Sequence, residues 1–313
     1  MIYNIKFNID FDNINNMAFS LCDASDYITF KFESKIFANP SGISMLSSLM
    51  NFKDDLISID YDLDRIGYLL RMNFFKNLGH NIPENFKRHD ARTNMLECTK
   101  ILSDDDPYVI DIALKEILNS HIRGKRDLVY GILLTTYEIT DNILEHSANG
   151  EFKQSDRIIL NPGFVAAQYY PKDDKIEIGI SDSGEGIVNT LAPAYPLLTR
   201  EEVLLESFKL NRTRHIKLMP TRGNGLAKLK HFVLSTHGSI RCRTNEFAII
   251  FNKDFPDGFI KKVDPVIGTH FEIIICCGNN IDIKPIFNAS YEDYEDTENS
   301  TISGNDELDD FFN

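Results

Sequence analysis

The stretch YEITDNILEHS, residues 137–147, sets Glu138, Asn142 and His146 four residues apart in a segment whose apolar residues recur with helical spacing. On a helix these positions form one stripe, so a carboxylate, an amide and an imidazole face the same way. A carboxylate so placed can orient or deprotonate a nucleophile. An amide oxygen is a ligand suited to a hard cation. A helix that turns a polar face to water carries the same kind of stripe, and Leu134, Tyr137, Ile143 and Leu144 would then do its packing.

Two glycine turns change that balance. SDSGEGI (181–187) places Asp182, Gly184 and Gly186 as DxGxG after an alternating segment that reads as a strand. A carboxylate at a strand end can accept a hydrogen bond from an exocyclic amine, and glycines let the backbone approach a flat ring. TRGNGLAKLKHF (221–232) then sets Gly223 and Gly225 directly ahead of a helical pattern. Backbone N–H groups and the positive dipole end at such a point suit phosphate. The spacing matches neither the P-loop nor the GxGxxG dinucleotide fingerprint.

Three segments must position these residues. Residues 1–105, rich in Phe, Ile and Asn, predict strands at 3–9, 27–33 and 55–61 and helices at 39–52 and 62–80, an α/β order. Residues 106–287 predict helices over 107–121 and 125–147, broken at Gly124, and then a hairpin of 163–170 with 175–182. An irregular stretch, 187–222, leads to a helix at 225–235 and strands near 239–243, 246–252 and 269–276. Helices on one face of a mixed, mainly antiparallel sheet are expected, making the chain α+β overall. Residues 288–313 hold nine acids and no Lys or Arg, with Tyr291, Tyr294, Phe311 and Phe312 interspersed. That composition predicts an acidic flexible tail.

Taken together, ExxxN on a helix, DxGxG after a strand, GxGL opening a later helix and GTHFEI (268–273) in a last strand resemble the GHKL superfamily of ATP-binding domains. The resemblance implies a Bergerat-type α/β sandwich over 106–287 that binds ATP and Mg²⁺. It assigns Asn142 to the metal and phosphates, Glu138 to the attacking water, and Asp182 with Gly184 and Gly186 to adenine, supported by Thr269. It brings Gly223, Gly225 and Leu226 to the phosphates under a lid, 187–222, in which Arg222 is the first choice to reach them, ahead of Arg212, Arg214 and Lys217. NILEHS is similar to small regulators related to anti-sigma-factor kinases, where His146 would follow the Asn by four residues.

Residues 1–105 resemble STAS-like domains in element order, which would make Ser41 in NPSG a phosphorylation point or, more plainly, a serine capping the next helix. His121 lacks the surroundings of a phosphoacceptor, and with only a short stretch after residue 285 no transducer domain is expected. The resemblance therefore implies an ATP-gated switch with slow hydrolysis, with a protein-serine kinase acting on a STAS-like partner and a non-catalytic scaffold as the alternatives. By analogy it is a bacterial or phage-related regulator whose partner belongs to signalling or defence, and a homodimer fits this class.

Composition sets further bounds. The 313 residues, 42% hydrophobic, suffice for two cores. The formal charge of −14 argues against general nucleic-acid binding. The five cysteines have neither CxxC spacing nor nearby histidines, so they read as small buried apolar residues. No apolar run approaches the roughly 20 residues that span a bilayer, and MIYNIKFNID lacks a signal peptide's layout. A soluble, cytoplasmic protein without membrane contact is expected.

Overall fold

The computed structural model describes residues 2–6, 8–23, 28–52, 57–84, 86–88, 94–147, 162–209 and 224–287; for 19–23, 57 and 145–147 the backbone alone is described. The N-terminal part runs β1 (Ile2–Ile5), α1 (Phe11–Asp23), β2 (Ile28–Phe32), α2 (Pro40–Phe52), β3 (Ile57–Asp60), α3 (Leu63–Arg71) and α4 (Phe74–Asn77). Its strands pair in parallel in the order β1-β2-β3. Helical crossovers such as α1 and α2 are what parallel neighbours require.

Along β2, Ile28, Phe30 and Phe32 are buried while Lys31 faces solvent and pairs with Asp60 of β3. One face of this sheet is therefore wet. The helix expected over 62–80 is two helices, because Asn73 adopts φ 57° between them. Asparagine tolerates that left-handed conformation, and its amide donates to Glu97 Oε2 at 2.6 Å. Helix α1 was not foreseen, since its asparagines weaken the helical signal. It buries Phe11, Ile14, Met17 and Ala18 along one side.

The second part comprises β4 (Met95–Ile101), α5 (Asp106–His121), α6 (Arg126–Ser147), β5 (Gly163–Tyr170), β6 (Lys175–Asp182), α7 (Ile187–Leu191), α8 (Arg200–Ser207), α9 (Gly225–Ser235), β7 (Ser239–Phe251), β8 (Phe259–Cys276) and α10 (Lys284–Phe287). Its sheet has the order β4-β5-β6-β8-β7, and every neighbouring pair is antiparallel. Among the described residues the chain is thus α+β with an antiparallel second sheet, where a mixed one was expected. Strand β4 precedes residue 106, so this sheet starts ahead of the boundary placed at 105. The strands expected at 239–243 and 246–252 are one strand, with its register shifting between Thr244 and Phe247. Strand β8 starts well before residue 269 because Phe259–Lys262 pair with the far end of β7 in a hairpin arm.

Alternation gives the five-stranded sheet two unlike faces. Val165, Ala167, Ile176, Ile178, Ile180 and Ile273 join one core with Ile132 and Ile139 of α6 and Phe232 of α9. The intervening residues turn toward α2, which packs on β5, β6 and β8. Helices therefore cover both faces, one set from 106–287 and the other, α1 and α2, from the N-terminal part. Helix α2 is buried from Pro40 to Met50, as a helix between two sheets must be. It lies so close that a Cβ on Gly179 of β6 would meet the backbone of Pro40 and Ser41. Among the described residues no helix is long and apolar enough to cross a membrane.

Candidate functional site

Helix α6 keeps its register from Arg126 to Ser147, so Gly131, Thr135, Glu138 and Asn142 form one stripe. At one end of it, Gly131 lies where a Cβ would collide with the Phe232 ring of α9. Toward the other end, a Cβ built on Gly225, the first residue of α9, would lie 3.0 Å from Glu138 Oε2 and 3.6 Å from Asn142 Nδ2. The helices run antiparallel, and the polar half of the α6 stripe faces the α9 N-terminus. It does not simply face water. Tyr137, expected to pack, is 40% exposed instead.

Gly225 thus meets two residues more than 80 positions earlier in the chain. A side chain there would crowd the carboxylate, whereas glycine leaves space beside it. The first bond inside α9 runs from the Lys228 N–H to the Asn224 carbonyl at 2.8 Å. The amides of Gly225, Leu226 and Ala227 precede it, at the positive end of the helix dipole. Leu226 is half-buried and its side chain packs on the core.

Asp182 closes β6 on the same face as Ile176, Ile178 and Ile180, by the two-residue period. It pairs in register with Thr269 of β8. Its Oδ1 accepts from the Gly184 N–H at 2.8 Å. Burial raises its carboxyl to about 6, against the pull of the Gly184 and Thr269 amides. It is thus a half-buried acid, mainly ionised at neutral pH, set at a strand end. The neighbouring Gly186 adopts φ 80°, and a Cβ there would sit 2.6 Å from the Asn245 side chain.

The two clusters share one end of one sheet face. Ile143, next to Asn142, packs against Gly163 of β5. The residue after Gly163, Phe164, pairs with Ser181, the neighbour of Asp182. Glu138, Asn142, Gly225, Asp182, Gly186 and Thr269 therefore border one region between α6, α9 and the strand ends, with Gly184 in the turn beside Asp182. Arg222, Gly223, Arg212, Arg214 and Lys217 lie outside the described residues, as does the His146 side chain. Of the expected lid, α7 and α8 are described; α8 opens with a capping box between Thr199 and Glu202.

Two residues that build this region escaped the sequence reading. Asn245 donates from Nδ2 to the Glu185 carbonyl at 2.8 Å and accepts from the Val188 N–H at 3.0 Å. Thr244 Oγ1 accepts from the Ile187 N–H at 3.0 Å and lies 3.3 Å from Thr269 Oγ1. Together they hold the turn after Asp182 and cap α7. The one trace in the sequence is the lapse of alternation at RTN (243–245), which reads as a gap between two strands.

Ser41 is not a turn residue open to modification. It lies in the first turn of α2, fully buried, with Oγ 2.9 Å from Glu177 Oε1 and 3.1 Å from Glu272 Oε1. Asn39 caps the helix, its Oδ1 accepting from the Gly42 N–H at 2.9 Å. His121 stacks on Tyr169, with ring centroids 4.2 Å apart, and its Nε2 lies 2.8 Å from Asn94 Oδ1, as expected of a structural histidine. No family model matches the chain, and no curated protein matches it significantly.

Proposed function

We propose that residues 106–287 bind Mg·ATP as a Bergerat-type domain of the GHKL class, and that the chain is an ATP-gated regulatory switch with slow hydrolysis. The observation that carries this reading is the approach of Gly225 to Glu138 and Asn142, on the sheet face and end where Asp182 stands. Residues of three motifs scattered over the sequence thereby come to one end of one sheet face.

In this reading Asp182 accepts a hydrogen bond from the adenine amine, Gly184 and Gly186 leave room for the ring, and Thr269 supports the base edge. Asn142 offers its amide oxygen to Mg²⁺, which usually takes one or two protein ligands beside phosphate oxygens and water. Glu138 orients the attacking water and takes up its proton. The amides of Gly225 and Leu226 stabilise negative charge at the phosphates; Gly223 and Arg222 join them on the sequence argument alone. The N-terminal parallel sheet supports a STAS-like assignment through its alternating order, and it would pass the nucleotide state to a protein partner.

Incubation with labelled ATP and Mg²⁺ tests this. Free phosphate is the expected product, whereas label on the protein would favour the serine-kinase alternative and absence of binding would refute both. Glu138→Ala is expected to abolish turnover with ATP still bound. Asp182→Asn is expected to weaken ATP binding by about ten-fold or more, the scale of one lost charge-assisted bond. Because Asp182 accepts more strongly when ionised, affinity should be constant above about pH 7 and fall as the pH drops through about 6. Unchanged affinity at pH 5 would remove Asp182 from the adenine site.

A further inference from the structure

Helix α7 opens without a cap of its own, because the residue ahead of it is Gly186, which has no side chain. Its first amides are satisfied from β7 instead. The Ile187 N–H donates to Thr244 Oγ1 at 3.0 Å, and the Val188 and Asn189 N–H groups donate to Asn245 Oδ1 at 3.0 and 3.4 Å. We propose that Thr244, Asn245 and Glu246 are positioning residues for the nucleotide: without reaching it, they fix the turn after Asp182 and the starts of α7 and α8 to β7, and base recognition depends on that hold. The dependence of base recognition rests on the nucleotide reading of the site, whereas the hold on α7 and α8 does not.

In a regular strand, successive side chains point to opposite faces. Here three consecutive ones serve one segment, because the ladder breaks at this place. From Thr244 to Phe247, β7 advances three residues while its partner β8 runs seven, from Thr269 to Lys262. Such an irregularity sharpens the local twist and re-aims side chains. Buried Arg243 keeps the broken ladder in shape: its Nη1 donates to the carbonyls of Asn245 and Phe247 at 2.6 and 2.9 Å, and its Nη2 to the Asp264 carbonyl. Each of the next three residues then takes a different piece of 185–200. Thr244 takes the Ile187 amide, and Asn245 adds to its two amides the Glu185 carbonyl, to which Nδ2 donates at 2.8 Å. Glu246 takes the guanidinium of Arg200, the first residue of α8, accepting from Nε and, at 2.8 Å, from Nη2. Arg200 Nη2 also donates to Asn189 Oδ1 at 2.8 Å, which joins α8 to α7.

The same two buried side chains, Thr244 and Asn245, support both strand-side edges of the base region. Asn245 lies so close to Gly186 that a Cβ there would sit 2.6 Å away, so the path of the turn follows this side chain. Asp182 starts that turn and accepts from the Gly184 N–H within it, so a shift at Glu185 and Gly186 moves the acceptor. The Thr244 hydroxyl has one proton, which it can donate to the Gly268 carbonyl at 3.1 Å while its lone pairs accept the Ile187 N–H. Gly268 precedes Thr269, the partner of Asp182 across the ladder.

Amide hydrogen exchange on the full-length chain tests the hold. Asn245→Ala should speed exchange over Ile187–Leu191 by about ten-fold or more, with α6 unchanged. Arg200→Gln, at a position 46% exposed and so compatible with folding, should speed exchange over α8. Unchanged exchange in both variants overturns the hold. Calorimetric titration of ATP and of GTP, each with Mg²⁺, tests the positioning. Guanine carries a carbonyl where adenine carries the amine that Asp182 would accept from, so wild type should prefer ATP. Asn245→Ala and Thr244→Val should weaken ATP by about ten-fold and shrink that preference, and Thr244→Ser, which keeps the hydroxyl, should restore both. Unchanged ATP affinity, or equal weakening of ATP and GTP as a merely structural role would give, overturns the positioning role. Failure of ATP to bind wild type defeats the nucleotide reading, and the exchange result still decides the hold.

Discussion

Along β6, Ile176, Ile178 and Ile180 enter the core beneath α6 and α9, whereas Glu177 and Ser181, each one position away, meet α2. Both faces of the five-stranded sheet are buried. The helix face is held by apolar area, which is non-directional and tolerates small sliding. The α2 face combines an apolar core, in which Phe164 and Ala166 of β5 and Val266 of β8 join Ile43, Leu46 and Met50 of α2, with named polar partners. Ser41 sits between Glu177 and Glu272, Ser44 Oγ lies 3.2 Å from Ser181 Oγ, and Glu272 binds Arg241, whose Nη1 reaches Asp12 of α1 at 2.7 Å. The polar partners are directional, so they add a preference for one register of α2 to that apolar contact. Along β6, a difference of one residue thus separates an apolar contact from one whose polar partners also set how the N-terminal part docks.

The largest effect is expected on the apolar face. Phe232→Ala removes the ring that packs on Gly131 and lies 5.9 Å from the Phe287 ring, and should cost about 3–5 kcal/mol in urea denaturation. A loss below about 1 kcal/mol would mean that area is not what holds α9 to α6. On the polar face, Arg241→Met leaves Glu272 buried without its guanidinium and should cost about 2–3 kcal/mol, reduced from the fully buried case because Arg241 is partly exposed. Arg241 also covers the Phe11 ring, so the same variant should loosen α1, read as faster amide exchange over Phe11–Asp23. Ser41→Ala is expected to cost about 1–2 kcal/mol, since it strips a hydroxyl from two buried carboxylates.

The smallest change should be a slope. Burial first, and the charge of Glu272 second, raise the Glu177 carboxyl above its ordinary value. The folded state therefore holds this proton more tightly than the unfolded one. The stabilisation is complete at acid pH and is lost as pH rises from the ordinary glutamate value through the raised one. Glu177→Gln, neutral throughout, should flatten that part of the stability-versus-pH curve in denaturation midpoints. An unaltered slope would show that Glu177 does not titrate against α2.

Legibility followed the range of the forces. Helix α6, the 163–182 hairpin and α9 were readable within a residue because their periodicity, Gly124 and the turn at 171–174 are local signals. Helix α1 was hidden by asparagines that only burial of Phe11, Ile14 and Met17 outweighs. The break at Asn73 depends on its hydrogen bond to Glu97 of β4, a strand itself missed because its alternation is mixed, with Glu97 and Lys100 among buried positions. Residues of the candidate site are legible where a short motif of glycines, carboxylates or a helix-spaced amide marks them. Thr244 and Asn245 are not, since they act by holding another segment's backbone.

By itself the sequence determined which residues share a face: the α6 stripe, the alternation of β5 and β6, and the glycines that open α9 and follow Asp182. Periodicity is local and survives any tertiary arrangement. Tertiary structure alone decided what each face meets. It turned Glu138 and Asn142 toward Gly225, closed α2 over the second sheet face, buried Ser41 between two carboxylates, and set Asn245 behind the Asp182 turn. Those outcomes depend on contacts between residues far apart in the chain, whose burial and hydrogen bonding no local pattern encodes.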